Sequence, residues 1–277
     1  MPIELPPGSA AYSDRNPETS NSKLLILLGL FLGIVVGVVG LIVLVVMNLV
    51  LLIPPSMEQR IGAIVVPGFE RLAPDSSAQS ALNQLLDRLE AGLSEQQRQG
   101  RDYKVLYIPD DTVNALAIPG DRIILYGGLV AQAQSENELM MVMGHELGHF
   151  AHRDHLRSLG RGLGLQLSLA LLFGDGGTLS KLAASSVSAL STAQFSQSQE
   201  READEFGLAL LQKTYGQVAG ATDFFARLSQ QDKAAIAFLA THPASRDRVQ
   251  HLEQLIQQRQ YSVGSRSPLP AALQASP

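Results

Sequence analysis

The longest pattern along the chain is an unbroken apolar run. From Leu24 to Ile53 it reads LLILLGLFLGIVVGVVGLIVLVVMNLVLLI, with Asn48 its single polar side chain and no charge between Lys23 and Glu58. As a helix the run would reach about 45 Å against a hydrocarbon core of about 30 Å, so it predicts a tilted transmembrane helix. It is too long for the apolar region of a cleavable signal peptide, and it ends in Pro54-Pro55. Beyond it the pattern shortens. SALNQLLDRLEAGL (80–93) places Leu82, Leu85, Leu86, Leu89 and Leu93 on one face of an amphipathic helix. YKVLYIP (103–109), NALAIPG (114–120) and DRIILYG (121–127) are short β-rich runs bounded by turn residues, which predicts a small sheet. Ser135 with Glu138 three residues on, ahead of LMMVM, has the form of a capping box, so a helix begins there and carries GHELGHFAH. LGLQLSLALLF (163–173) is apolar but about half the length of a span, which points to a packed, interfacial or re-entrant segment. Residues 1–23 and the stretch from Val263 are rich in polar residues and proline and read as flexible tails. The expected organisation is a tail over 1–23, a transmembrane helix over 24–53, one folded domain over 54–262 and a tail over 263–277. Its class is α+β, mostly helical with a small sheet.

Composition narrows the chemistry. The net charge of −5 supplies no basic field to gather nucleic acid, so no nucleic-acid partner is expected. The absence of cysteine excludes disulfides, thiolate ligands and a cysteine nucleophile, so a metal site must be built from His, Asp or Glu. Gly29, Gly33 and Gly37 recur every four residues and line one face of the apolar helix, a face that could admit a second span and make a homo-oligomer. Arg15 and Lys23 precede the helix while Arg60 and Arg71 follow it, a near tie that leaves its orientation open.

Four of the six histidines crowd into GHELGHFAHRDH (144–155). On a helix His145 and His149 lie about 40° apart around the axis and about 6 Å along it, so both imidazoles can meet one ion. Glu146 between them is placed to take a proton from a water on that ion. This is the HExxH pattern of zinc peptidases. His152 falls on the flank of that face and His155 too far along it, and both read as residues supporting the ligands from behind or as ordinary polar residues at the helix end. A third ligand must come from elsewhere. Glu200 and Asp204, at i and i+4 in EREAD, are the candidates: one carboxylate could bind zinc while the other orients a ligand imidazole. The other reading of Glu200 and Asp204 is a solvated acidic face shared with Arg201, Glu202 and Glu205, and both stay open at this level.

Taken together, NALAIPG followed by GGLV (114–130), HELGHFAHRDH (145–155), EREAD (200–204) and THPASRDRV (241–249) resemble the membrane-associated gluzincins, the zinc metallopeptidase family of HtpX, BepA and the CaaX prenyl endopeptidases. The resemblance implies a zincin-like domain holding one Zn²⁺ per chain through His145, His149 and Glu200, with Glu146 as general base. It implies that Asp204 backs a ligand histidine, that His242 faces the site to cover the metal or stabilise an oxyanion, and that Arg248 lies nearby. Pro243 suits the first position of a closing helix, which would make His242 its N-cap. Asn114, Ala115 and Ala117 resemble the strand onto which an extended polypeptide adds. Relatives often carry Ser-Arg where this chain has Ser196-Gln197, so a charge near the third-ligand helix is missing. The expected activity is cleavage of unfolded, damaged or membrane-proximal proteins by a single-pass protein of a bacterial inner membrane, with the domain outside the cytoplasm. The alternative is a zinc-containing membrane chaperone or assembly factor whose site is closed.

Overall fold

The computed structural model describes residues 21–173, 194–230, 236–243 and 246–274. Most of the N-terminal tail (1–20), the end of the C-terminal tail (275–277) and residues 174–193 lie outside the described residues. The described chain falls into two compact units, divided between Ile42 and Val43. The first holds the front of helix α1 (Asn21–Leu51), whose apolar side chains are bare, with Leu25 and Val36 about two-thirds exposed. This helix is long and apolar enough to cross a membrane.

The second unit is α+β. Its sheet has the order β1-β3-β2, with β1 (Lys104–Ile108) parallel to β3 (Arg122–Tyr126) and β2 (Ala115–Ile118) antiparallel to it. Alternation along the strands divides the core in two. Val105, Tyr107, Ala115, Ala117, Ile123 and Leu125 face the main core beneath helices α3 (Ser77–Glu90) and α6 (Glu136–Ala151). Leu106, Ile108, Leu116, Ile118 and Ile124 face the other way, onto Val65, Val66 and Phe69 of α2 (Pro55–Glu70). The segment after the apolar helix thus forms an outer layer on the sheet. It comes so close that a Cβ on Gly62 would sit 2.4 Å from the Gly120 Cα.

The remaining elements are α4 (Glu95–Arg98), α5 (Gly127–Gln132), α7 (Asp154–Phe173), α8 (Gln197–Tyr215), α9 (Asp223–Leu228), α10 (Ile236–Thr241), α11 (Arg246–Gln258) and α12 (Ala271–Gln274). Residues 163–173 continue α7 as helix. The α6 N-terminus differs from a full capping box. The Ser135 hydroxyl accepts from Glu138 N–H, but the Glu138 carboxylate is drawn to Arg227 and accepts from the Gln134 N–H instead. The C-terminal stretch is a correction to the sequence reading, because residues 263–274 are docked rather than free. Ser267 exchanges backbone and side-chain hydrogen bonds with Glu136 and Asn137, Gln217 binds Gly264 and Ser265, and Leu273 is buried in the main core. Polar composition misled because this segment is held through main-chain groups, which composition does not report.

Candidate metal centre

The site is made where α6 and α8 touch, and glycine permits the contact. A Cβ on Gly148 would lie 2.7 Å from the Ala203 Cα, and one on Gly207 would lie 2.9 Å from the His145 nitrogen. This approach puts the histidines of one helix against the carboxylates of the other. The start of α8 is fixed by a complete capping box, in which Ser196 accepts from Gln199 N–H and Gln199 accepts from Ser196 N–H.

The His145 and His149 Nε2 atoms are 3.1 Å apart, and the Glu200 carboxylate lies 3.7 and 3.5 Å from them. His242 Nδ1 joins the group, 3.2 Å from His145 Nε2 and 3.0 Å from Glu200 Oε1. All four residues are fully buried, and together they can hold a metal ion. Three features fit Zn²⁺. Tetrahedral bonds of about 2.0–2.1 Å place ligand atoms about 3.3 Å apart, close to the spacings found. Each ring nitrogen facing away is taken by a carboxylate, His145 Nδ1 by Asp204 at 2.9 Å and His149 Nδ1 by Asp154 at 3.0 Å. That leaves both Nε2 lone pairs aimed at one point. Finally, both Glu146 oxygens and His242 Nε2 are buried with no hydrogen-bond partner, and they lie 3.5 Å apart at the closest.

The supporting groups are themselves held. Arg248 grips Asp204 with two charge-assisted bonds of 2.7 and 2.6 Å and also pairs with Glu200. Asp154 accepts from Gln199 at 2.6 Å and from Arg157 at 3.2 Å, and the Phe195 ring stacks on His149 at 3.9 Å. Burial pushes the Glu200 carboxyl up, but His242, Arg248 and His145 outweigh it and hold it well below the usual range; Asp204 is held down by Arg248 and His145 in the same way. Burial pushes the His145 imidazole down, more than Asp204 and Glu200 restore. For His149 the balance reverses: burial pushes it down, but Asp154 and Glu200 raise it to about 10. The pocket is built for positive charge.

The structure therefore brings together His145, Glu146, His149, Glu200, Asp204, His242 and Arg248. Asn114 stands just ahead of edge strand β2, and its Oδ1 accepts from Thr241, the neighbour of His242; Ala115 and Ala117 lie within β2 and are buried. The His242 expectation is corrected in one respect. Its N–H closes α10 on the Phe238 carbonyl at 2.7 Å, and Pro243 lies between helices, so His242 is a helix end rather than a cap. His155 is fully buried and bonded to Glu58, and His152 ends α6 with its ring edge-on to Phe206. Sequence reasoning missed Asp154, Gln199 and Phe195. For Asp154 a signal existed: a carboxylate just past the helix end, five residues after the second histidine of HExxH.

A family model described as Peptidase family M48 matches residues 76–256. The chain is 33% identical over 155 residues to a putative beta-barrel assembly-enhancing protease of Vibrio cholerae, covering 51% of this chain and 32% of that one. It is 32% identical over 156 residues to the metalloprotease LoiP of Escherichia coli, covering 54% and 61%. With the mitochondrial metalloendopeptidase OMA1 of Arabidopsis thaliana it shares 27% over 157 residues, covering 56% and 32%. The matched part thus spans from about a third to about three-fifths of these relatives.

Proposed function

Since the chain belongs to peptidase family M48, we propose that it is a zinc-dependent endopeptidase held at a membrane by its apolar N-terminal helix. The observation that carries this is the pair of imidazole nitrogens 3.1 Å apart, each backed by a carboxylate and faced by Glu200. His145, His149 and Glu200 would hold Zn²⁺, which when bound supplies a water of lowered pKa and a Lewis acid for the scissile carbonyl. Glu146, buried with both oxygens unpartnered, takes the proton of the attacking water and returns it to the departing amide nitrogen. Asp204 and Asp154 keep the ligand rings in the tautomer that binds metal. His242 carries a free Nε2 toward the same space as Glu146, where it can donate to the oxyanion.

An extended polypeptide would add to the β2 edge at Asn114, Ala115 and Ala117 through main-chain hydrogen bonds. Such substrates are unfolded or damaged proteins near the bilayer, because only an unfolded segment offers an unpaired backbone. By resemblance, the domain lies outside the cytoplasm of a bacterial inner membrane, and a reporter fused after residue 260 tests the side. A second reading, a membrane chaperone or assembly factor with a closed site, is favoured by one observation: His242 Nδ1 stands 3.2 Å from His145 Nε2 and 3.0 Å from Glu200 Oε1, the spacing of ligands on one ion.

Zinc content and cleavage of an unfolded protein, measured for wild type, Glu146→Gln and Glu200→Ala, separate the readings. We expect Glu146→Gln to keep zinc and lose about 10²- to 10⁴-fold in cleavage, and Glu200→Ala to lose both. Undiminished cleavage by Glu146→Gln would refute the role of that glutamate. Wild type that holds zinc but cleaves nothing would favour the closed chaperone.

A further inference from the structure

Three consecutive residues after α6 face in two directions. Asp154 faces the metal centre and takes the His149 Nδ1–H at 3.0 Å. Its neighbours face the segment that follows the apolar helix, about a hundred residues earlier in the chain. His155 Nε2 donates to Glu58 Oε1 at 2.7 Å, and the Arg153 guanidinium donates to the Ile53 carbonyl and lies 3.6 Å from Glu58 Oε2. His155 Nδ1 also stands 3.4 Å from the carbonyl of His149 itself. Glu58 is fully buried and gripped by both Arg101 nitrogens, at 2.7 and 3.0 Å, and Arg101 in turn holds the fully buried Asp121 at 2.6 Å.

Two aspects of this cluster ask for a role. A buried ionic network gives little stability beyond what well-packed apolar residues would give, and it touches none of the reacting groups. The turn it grips is also strained. Arg153 has a φ of 60°, a left-handed conformation that a non-glycine residue keeps only when its surroundings impose it. The surroundings are α2 on one side and the Asp154–His149 bond on the other.

We propose that Glu58 and His155 are positioning residues for the metal centre. They anchor the turn at Arg153 and the first residues of α7 to α2 and so fix Asp154, which fixes the His149 ring. This rests on the zinc-peptidase reading of the site. It follows that the segment leading out of the membrane helix is part of what shapes the site, and that releasing it from the sheet loosens one zinc ligand.

The test uses the full chain in detergent micelles, with His155→Phe, His155→Gln, Glu58→Gln and the pair Glu58→Gln/His155→Phe. Zinc affinity is measured by chelator competition, the ligand field by visible absorption of the Co²⁺-substituted protein, and folding by thermal melting, alongside kcat and KM. His155→Phe should weaken zinc about three- to tenfold, somewhat less than the loss typical when a direct partner of a ligand is removed. It should also shift the cobalt spectrum and lower kcat with KM unchanged. His155→Gln, whose amide still donates to Glu58, should restore most of both. The pair should lose little more than His155→Phe alone, because both changes cut one link. If His155→Phe fails to fold, the smaller His155→Leu, which likewise donates nothing to Glu58, carries the same readouts. Wild-type zinc affinity and cobalt spectrum in whichever variant is read overturn the inference, leaving the contact structural only. Wild type that takes up no zinc overturns the reading of the site and this inference with it.

Discussion

Gly148→Ala tests whether the closeness of α6 and α8 makes the site. The added Cβ would meet the Ala203 Cα at 2.7 Å and the Ala203 carbonyl oxygen at 3.0 Å, both backbone atoms that no rotamer change can move. Carbon atoms rest about 3.5–4.0 Å apart, so the helices must part by roughly 1 Å at this point. Ala203 lies between Glu200 and Asp204, and both carboxylates would move with it. The His145–Asp204 bond of 2.9 Å would then exceed hydrogen-bond length. Overpacking costs about 1–3 kcal/mol, but exchanging glycine for alanine within a helix returns about 1 kcal/mol. Global stability should therefore fall by no more than about 2 kcal/mol, while zinc affinity falls about 10- to 100-fold. Urea unfolding of the metal-free protein gives the first quantity and chelator competition the second. Gly68→Ala is the control: nothing lies within 4 Å of its added Cβ, so it should stabilise α2 by about 0.5–1 kcal/mol without touching zinc. Wild-type zinc affinity in Gly148→Ala would refute the claim that glycine contact sets the ligand geometry.

Three further changes probe separate parts of the same structure. Asp154→Ala frees the His149 ring and should weaken zinc about 10- to 100-fold by chelator competition; no change would remove Asp154 from the site. Arg248→Met strands Asp204 and Glu200 as buried carboxylates and should cost about 3–5 kcal/mol in urea unfolding. Burial pushes the Glu58 carboxyl up, but His155 and Arg101 outweigh it and hold its pKa at about 2 instead of 4.5. A depressed carboxyl stabilises the fold fully above pH 4.5 and loses that contribution as pH falls toward 2, here on the order of 3 kcal/mol. Glu58→Gln should flatten this acid limb in melts between pH 5 and 2, and an unchanged limb would assign the acid sensitivity elsewhere.

Much of this was legible because it is local. The apolar run, the leucine stripe of α3, the three strands and the HExxH helix follow from periodicity and caps within a few turns of chain. The meeting of Glu200 and Asp204 with the histidines is not local. From the residues alone an acidic helix face and a ligand pair looked the same, and what separates them is the glycine contact at Gly148 and Gly207. His155 was illegible for a related reason. Its position six residues after His149 set it apart from the candidate ligand pair, but its partner, Glu58, lies 97 residues away. The docked C-terminal stretch hid because Ser267 and its neighbours hold through backbone groups, which every residue carries.

The part His242 plays can be weighed by magnitudes. Glu146, Asp154, Glu200 and Asp204 bring four carboxylates to the centre, and Arg157 and Arg248 bring two guanidinium groups. One divalent cation closes that deficit. An imidazole binds metal as the neutral base, so withdrawing His242 to admit a peptide carbonyl leaves the buried charge unchanged. With His242 beside the ion rather than bound to it, opening loses only the 3.0 Å contact with Glu200 and the stack on Phe238 at 4.6 Å, each worth about 1 kcal/mol. Removing the ring would therefore speed access by about 30-fold, taking a factor of ten per 1.36 kcal/mol. If His242 also donates to the oxyanion, removing it costs about 10²- to 10³-fold. The second effect is larger, so His242→Ala should lower kcat/KM for an unfolded substrate by roughly 3- to 30-fold while zinc is retained through His145, His149 and Glu200. A rise in kcat/KM would make His242 a cover and nothing more, and would move the closed-site reading forward.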